Sequence, residues 1–79
     1  MKSERELFDL AKMYALLEAD FEKGFVSGEY IDDEIKYEME KIRDVLLEKK
    51  YDIDKFLGYK QLYKKMSVGE YLEFIKTLE

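Results

Sequence analysis

The stretch from residue 7 to residue 42 constrains this chain most, because it carries two apolar helical stripes on either side of the turn Gly28-Glu29-Tyr30-Ile31. Leu7, Leu10, Tyr14, Leu17, Phe21 and Phe25 recur at steps of three and four. At 100° per residue they fall within about 80° of one another on one helix face. Beyond the turn Ile35, Met39, Ile42 and Leu46 repeat the pattern. Two such stripes joined by a short Gly-containing connection fold back on each other, since otherwise both would face water. The expectation is a long antiparallel helical hairpin whose core is made of these ten side chains.

Local signals divide the rest. Ser3-Glu4-Arg5-Glu6 fits the S-x-x-E capping box and starts a first helix over about 3–27, with Gly24 as a close-packing position and Gly28 as its terminator. Asp32 is placed to cap a second helix over about 32–50. Asp33 and Glu34 then lie where the helix dipole favours negative charge, and Lys49-Lys50 where it favours positive charge. Asp52-Ile53-Asp54 can cap a third helix over about 53–65, with Phe56, Tyr59, Tyr63 and Met66 on its apolar face and Gly58 weakening it. Ser67-Val68-Gly69-Glu70 is a second S-x-x-E box, opening a last helix over about 68–78 that buries Tyr71, Phe74, Ile75 and Leu78. The chain therefore reads as one all-α domain, a small bundle of a hairpin plus two shorter C-terminal helices. At 79 residues, with 47% apolar and 42% charged residues and no Pro, its core is marginal unless the packing is dense or a partner covers part of it.

Helix 1 also carries a second, smaller-residue stripe of Phe8, Ala11, Ala15, Ala19 and Val26 that helix 2 cannot reach. Either the C-terminal helices pack on it or another protein chain does, since small residues allow close helix approach. These five, with Tyr37 on the polar back of helix 2, are the candidate partner interface.

Chemistry is sparse. Without His or Cys the chain lacks the commonest general base, the best nucleophile and most metal-site designs, and no Gly-rich phosphate loop is present. Asp32, Asp33 and Glu34 point in different directions around a helix start and lack a calcium-loop pattern, so they read as capping rather than as ligands. No catalytic, cofactor-binding or metal-binding residue is expected. A net charge of −5 argues against a general affinity for nucleic acid or acidic membranes. Residues 51 to 79 nevertheless balance five acids with five bases, and Lys60, Lys64 and Lys65 beside Tyr59 and Tyr63 resemble a stacking platform; tyrosines in the core with flanking lysines fit the same pattern. The longest apolar runs are too short to span a membrane.

The hairpin residues suggest a family. Glu22-Lys23-Gly24-Phe25-Val26, followed by Tyr30-Ile31-Asp32-Asp33-Glu34-Ile35, resembles the E-K-A-Y-I and V-S-x-x-E-Y stretches of the N-terminal domain of vacuolar protein sorting-associated protein 28, a subunit of ESCRT-I, at the same gapless spacing. Glu6-Leu7-Phe8-Asp9-Leu10-Ala11 is similar to that family's E-x-Y-D-x-x-A, and Ile53-Asp54-Lys55-Phe56 to its I-D-E-F. Ile31 and Asp32 replace the serine and proline of the turn, Ile35 replaces the tyrosine, and the segment after Phe56 is longer and richer in lysine. The resemblance implies a scaffold without enzymatic activity in the ESCRT-I headpiece, packed beside hairpins of sister subunits, one of them from the ubiquitin-binding subunit. It implies a cytoplasmic location with membrane association only through the complex. The family's C-terminal helical domain has no counterpart here, which fits a piece of a longer protein or a short archaeal relative. The alternatives are a free-standing homodimeric helical regulator and a small nucleic-acid-binding module using Lys60, Lys64 and Lys65.

Overall fold

In the computed structural model the described residues are 4–27 and 33–78, with side chains described for 4–23 and 33–78. They form four helices: α1 (Glu4–Ser27), α2 (Asp33–Glu48), α3 (Ile53–Lys65) and α4 (Val68–Leu78), with no strand among them. The turn at 28–31, the caps expected at Ser3 and Asp32, and the side chains of Gly24, Phe25 and Val26 lie outside the described residues.

The helix boundaries have local causes. Asp52 caps α3 as its spacing predicts, its carboxylate accepting from the amides of Asp54 at 2.9 Å and Lys55 at 3.3 Å. The second S-x-x-E box closes in both directions: Glu70 N–H donates to Ser67 Oγ at 3.3 Å and Ser67 N–H to Glu70 Oε1 at 3.2 Å. Helix α2 departs from expectation by stopping at Glu48 instead of reaching Lys50. Lys50 adopts a left-handed backbone, φ 58°. Tyr51 N–H then reaches Leu46 O at 2.9 Å and Lys50 N–H reaches Leu47 O at 3.2 Å. That pair of bonds is the Schellman reversal, and it folds the Tyr51 ring back onto Leu46 inside the core. The lysine pair therefore does not end the helix by its charge; Lys49 instead bonds Glu6 at 2.6 Å.

Helix α1, 24 residues long, is the strut on which the other three rest, and α3 packs against it most extensively. The expected shape is corrected here: α2 has 16 residues, nearer to α3 with 13 than to α1, so the bundle is one long helix bearing three shorter ones. Along α1 and α2 the paired positions run in opposite senses, Glu6 with Lys49 and Tyr14 with Arg43. The core joins Leu7, Ala11 and Tyr14 of α1 to Ile42 and Leu46 of α2, Tyr51, and Phe56 of α3, with Leu10, Leu17, Met39 and Tyr59 packed around it. A second aromatic cluster is centred on Phe8, wholly buried, with Tyr59, Tyr63, Tyr71 and Phe74 rings 5.0–6.4 Å away.

Candidate interaction surface

The small-residue stripe of α1 is mostly an internal seam. Phe8 and Ala11 have no exposed surface and Ala15 only 4%. The tyrosines of α3 and the Tyr71–Phe74 turn of α4 close over Phe8, and Lys12 fastens α4 by donating to Tyr71 Oη at 2.9 Å. Of the two ways of covering this stripe, the chain's own C-terminal helices provide the cover at these positions. Phe8, Ala11 and Ala15 are thereby removed from the candidate partner interface, because small side chains at the stripe let α3 approach α1 closely. The cover thins one turn later: Ala19 is exposed and, with Leu16 and Tyr63, borders an open groove of about 330 Å³ whose inner end is the buried Ala15. Val26 lies outside the described side chains. Tyr37 is 61% exposed, with the Lys41 ammonium 5.4 Å from its ring centre.

Along the α1–α2 stripe Leu7, Tyr14, Ile42 and Leu46 are buried, Leu10, Leu17 and Met39 are half-buried against that core, and Phe21 and Ile35 are half-buried outside it. Phe25 lies outside the described side chains. Among the described residues the ion pairs from α3 to α1 reach as far as Glu18.

At the base, acids of α1 meet lysines of the later helices. Glu4 binds Lys55 at 2.6 Å and accepts from Tyr59 Oη at 2.8 Å. Glu18 binds Lys64 at 2.6 Å and Lys60 at 3.1 Å. The hydrogen bond from Lys64 holds the Glu18 carboxyl below the ordinary carboxylate range against the opposing effect of burial, and the same bond raises Lys64. The Lys55 and Tyr59 hydrogen bonds lower Glu4 in the same way, and the Lys49 bond lowers Glu6. Lys60 is only 9% exposed, its ammonium 5.3 Å from the Tyr14 ring centre. Two of the three lysines that resembled a phosphate-binding row are thus bound to one internal carboxylate, which weighs against the nucleic-acid alternative.

Sequence reasoning missed a cleft of about 430 Å³ on the side of α1 away from the Phe8 cluster. Its walls are α2 at Arg43 and Leu47 and α3 at Ile53, Leu57 and Lys60, and Tyr14 lies between them. Leu47, Ile53 and Leu57 are 70%, 43% and 42% exposed. A signal existed: Leu47 follows the stripe residue Leu46, and Ile53 and Leu57 form an i,i+4 row off the Phe56 face. Arg43 donates to Tyr14 Oη at 2.8 Å and pairs with no carboxylate among the described residues.

Among the described residues no cluster of three or more acidic side chains is arranged to hold a metal ion, and no helix is long and apolar enough to cross a membrane. Comparison with models of protein families, with curated proteins and with solved structures gave no match.

Proposed function

We propose that this chain is a non-catalytic scaffold unit in which α1 and α2 act as an antiparallel helical hairpin whose outer half docks sister helical hairpins. In its narrower form the proposal is a headpiece component similar to that of ESCRT-I, serving membrane remodelling and ubiquitin-linked sorting from the cytoplasm and reaching membranes only through its partners. The narrower form rests on the matched stretches at residues 6–11, 22–26, 30–35 and 53–56.

The observation that carries the scaffold reading is the half-burial of Phe21 and Ile35, beyond the described ion pairs on Glu18 and outside the core that Leu17 and Met39 pack against. An isolated bundle gains nothing from extending an apolar stripe past the helices that cover it, whereas a docking arm requires such a stripe. The docking surface is therefore this outer arm with Ala19 and Tyr37, and the Phe8–Ala15 seam serves the base.

Co-expression with candidate hairpin subunits tests the proposal. The variant carrying Phe21→Asp and Ile35→Asp should remain helical and lose co-purification, because a carboxylate left unpaired in an apolar interface core costs several kcal/mol, on the order of 3 to 5. Undiminished co-purification by the folded variant would contradict it. Wild-type sedimentation as a dimer without partners would replace it by the homodimeric regulator.

A further inference from the structure

The cleft between α2 and α3 has no part in the headpiece reading, and it is built unlike the outer arm. Both α2 and α3 rest on α1, and at this cleft they stand apart as two walls with Tyr14 between them. Two helices diverging over a third leave the position that a fourth occupies in a helical bundle. Helix α4 does not fill it, because α4 is fixed on the other side through Phe8 and Lys12. The exposed apolar side chains of the walls are Leu47 on one and Ile53 and Leu57, one helical turn apart, on the other, the kind of lining on which an amphipathic helix docks.

Charge selects the occupant. The chain as a whole is acidic, at −5. The lining of the cleft is not: Arg43 and Lys60 stand there against one carboxylate, Glu18, which Lys60 binds, and Arg43 has no carboxylate partner among the described residues. Arg43 is already oriented by its bond to Tyr14 Oη, so its remaining guanidinium donors are presented at the rim with little freedom left to lose. A second copy of this chain would bring its own net negative charge to a neighbour of the same sign, which disfavours self-docking.

We propose that this cleft docks one amphipathic helix of a partner protein, its apolar face on Leu47, Ile53 and Leu57 and a carboxylate beside that face paired with Arg43. The inference stands independently of the headpiece reading.

Two synthetic helix-forming peptides of about fifteen residues, long enough for a marginally stable helix, test it. Both carry leucines at i, i+3, i+4 and i+7; one flanks them with glutamates and the other with lysines. Titrated at low salt into the isotope-labelled full chain, the glutamate peptide should shift the amides of residues 43–47 and 53–60 and bind about tenfold tighter than the lysine peptide. Arg43→Glu should reverse that order, and Leu57→Asp, at an exposed position, should abolish binding of both peptides while leaving the helical spectrum intact. Equal affinity for the two peptides, an unchanged order in Arg43→Glu, or shifts centred on Val68 and Leu72 of α4 would each overturn the proposal. So would self-association of the wild-type chain that Leu57→Asp removes, since a second copy would then be the occupant. Loss of sister-hairpin docking in the Phe21→Asp, Ile35→Asp variant with peptide binding retained would separate the two sites.

Discussion

Replacing Phe8 by Ala removes the side chain that joins three helices. Phe8 has no exposed surface, and four aromatic rings of α3 and α4 stand 5.0–6.4 Å from its centre. Truncating a buried Phe costs about 3 to 5 kcal/mol, and each aromatic pair contributes roughly 0.5 to 1.5 kcal/mol beyond area burial, which places this site at the upper end, near 5 kcal/mol. A chain of this length has a total stability of about 4 to 12 kcal/mol. The variant should thus lose a large fraction of its stability or fail to fold. In urea, with a slope near 1 kcal/mol per molar for a small protein, the midpoint should fall by on the order of 3 M or more. Tyr37→Ala is the control: its ring is 61% exposed, and the loss should stay within about 0.5 kcal/mol. Both measurements use the isolated chain. A loss below about 1 kcal/mol for Phe8→Ala would refute the reasoning, because Phe8 would then not be held between α1, α3 and α4 in the absence of a partner.

Three further outcomes follow from particular contacts. Lys50→Gly should raise stability by on the order of 1 kcal/mol, since glycine takes the left-handed backbone at φ 58° without the Cβ penalty, and Gly58→Ala should add about 0.5 to 1 kcal/mol because nothing lies within 4 Å of the new methyl; a decrease in the urea midpoint of either variant would contradict this. Glu18→Gln should destabilise by about 1 to 3 kcal/mol, leaving the buried Lys60 ammonium without its counter-charge, whereas Lys60→Met should cost less because Glu18 keeps Lys64; the reverse order in chemical denaturation would count against the cluster. Glu4, Glu6 and Glu18 titrate below their ordinary value of 4.5 when folded, so their stabilisation is complete above that value and is lost as the pH falls through the lowered ones. Lys49, Lys55 and Lys64 are raised above 10.5, so theirs is complete below that value and lost as the pH rises through the raised ones; a urea midpoint that climbs as the pH drops from about 5 to about 3 would oppose the assignment.

The elements were legible where a signal is local. Asp52 and the Ser67–Glu70 box announce their helices because each acts on amides within three residues, and the 3.6-residue periodicity marks Leu7, Tyr14, Ile42 and Leu46 as buried. The end of α2 was not legible: a left-handed Lys50 has no sequence signature when glycine is absent, and only the burial of Tyr51 accounts for it. The covering of Phe8 and Ala15 was undecidable from the stripe itself, since an apolar face states that something covers it and not which chain does. Nothing in the sequence marks Arg43, because its bond to Tyr14, 29 positions away, is a tertiary fact. Lys60 read as a flanking lysine for the same reason, its partner Glu18 lying on another helix.

The central claim is that α1 passes from a closed base to an open arm between Ala15 and Ala19, one turn apart on the same stripe, 4% exposed at the first and exposed at the second. Thermal melting of Ala15→Arg and Ala19→Arg, each as the isolated chain, tests it directly. An arginine forced into the seam at position 15 is an unpaired buried charge, with a penalty comparable to the whole stability of a small domain, about 5 kcal/mol, so that variant should be unfolded or melt far below wild type. At position 19 the same side chain extends into the open groove beside Leu16 and Tyr63, and the melting temperature should stay within a few degrees, about 4 °C or less. Unfolding of both variants, or undisturbed melting of both, would contradict the division of α1 on which the docking arm depends.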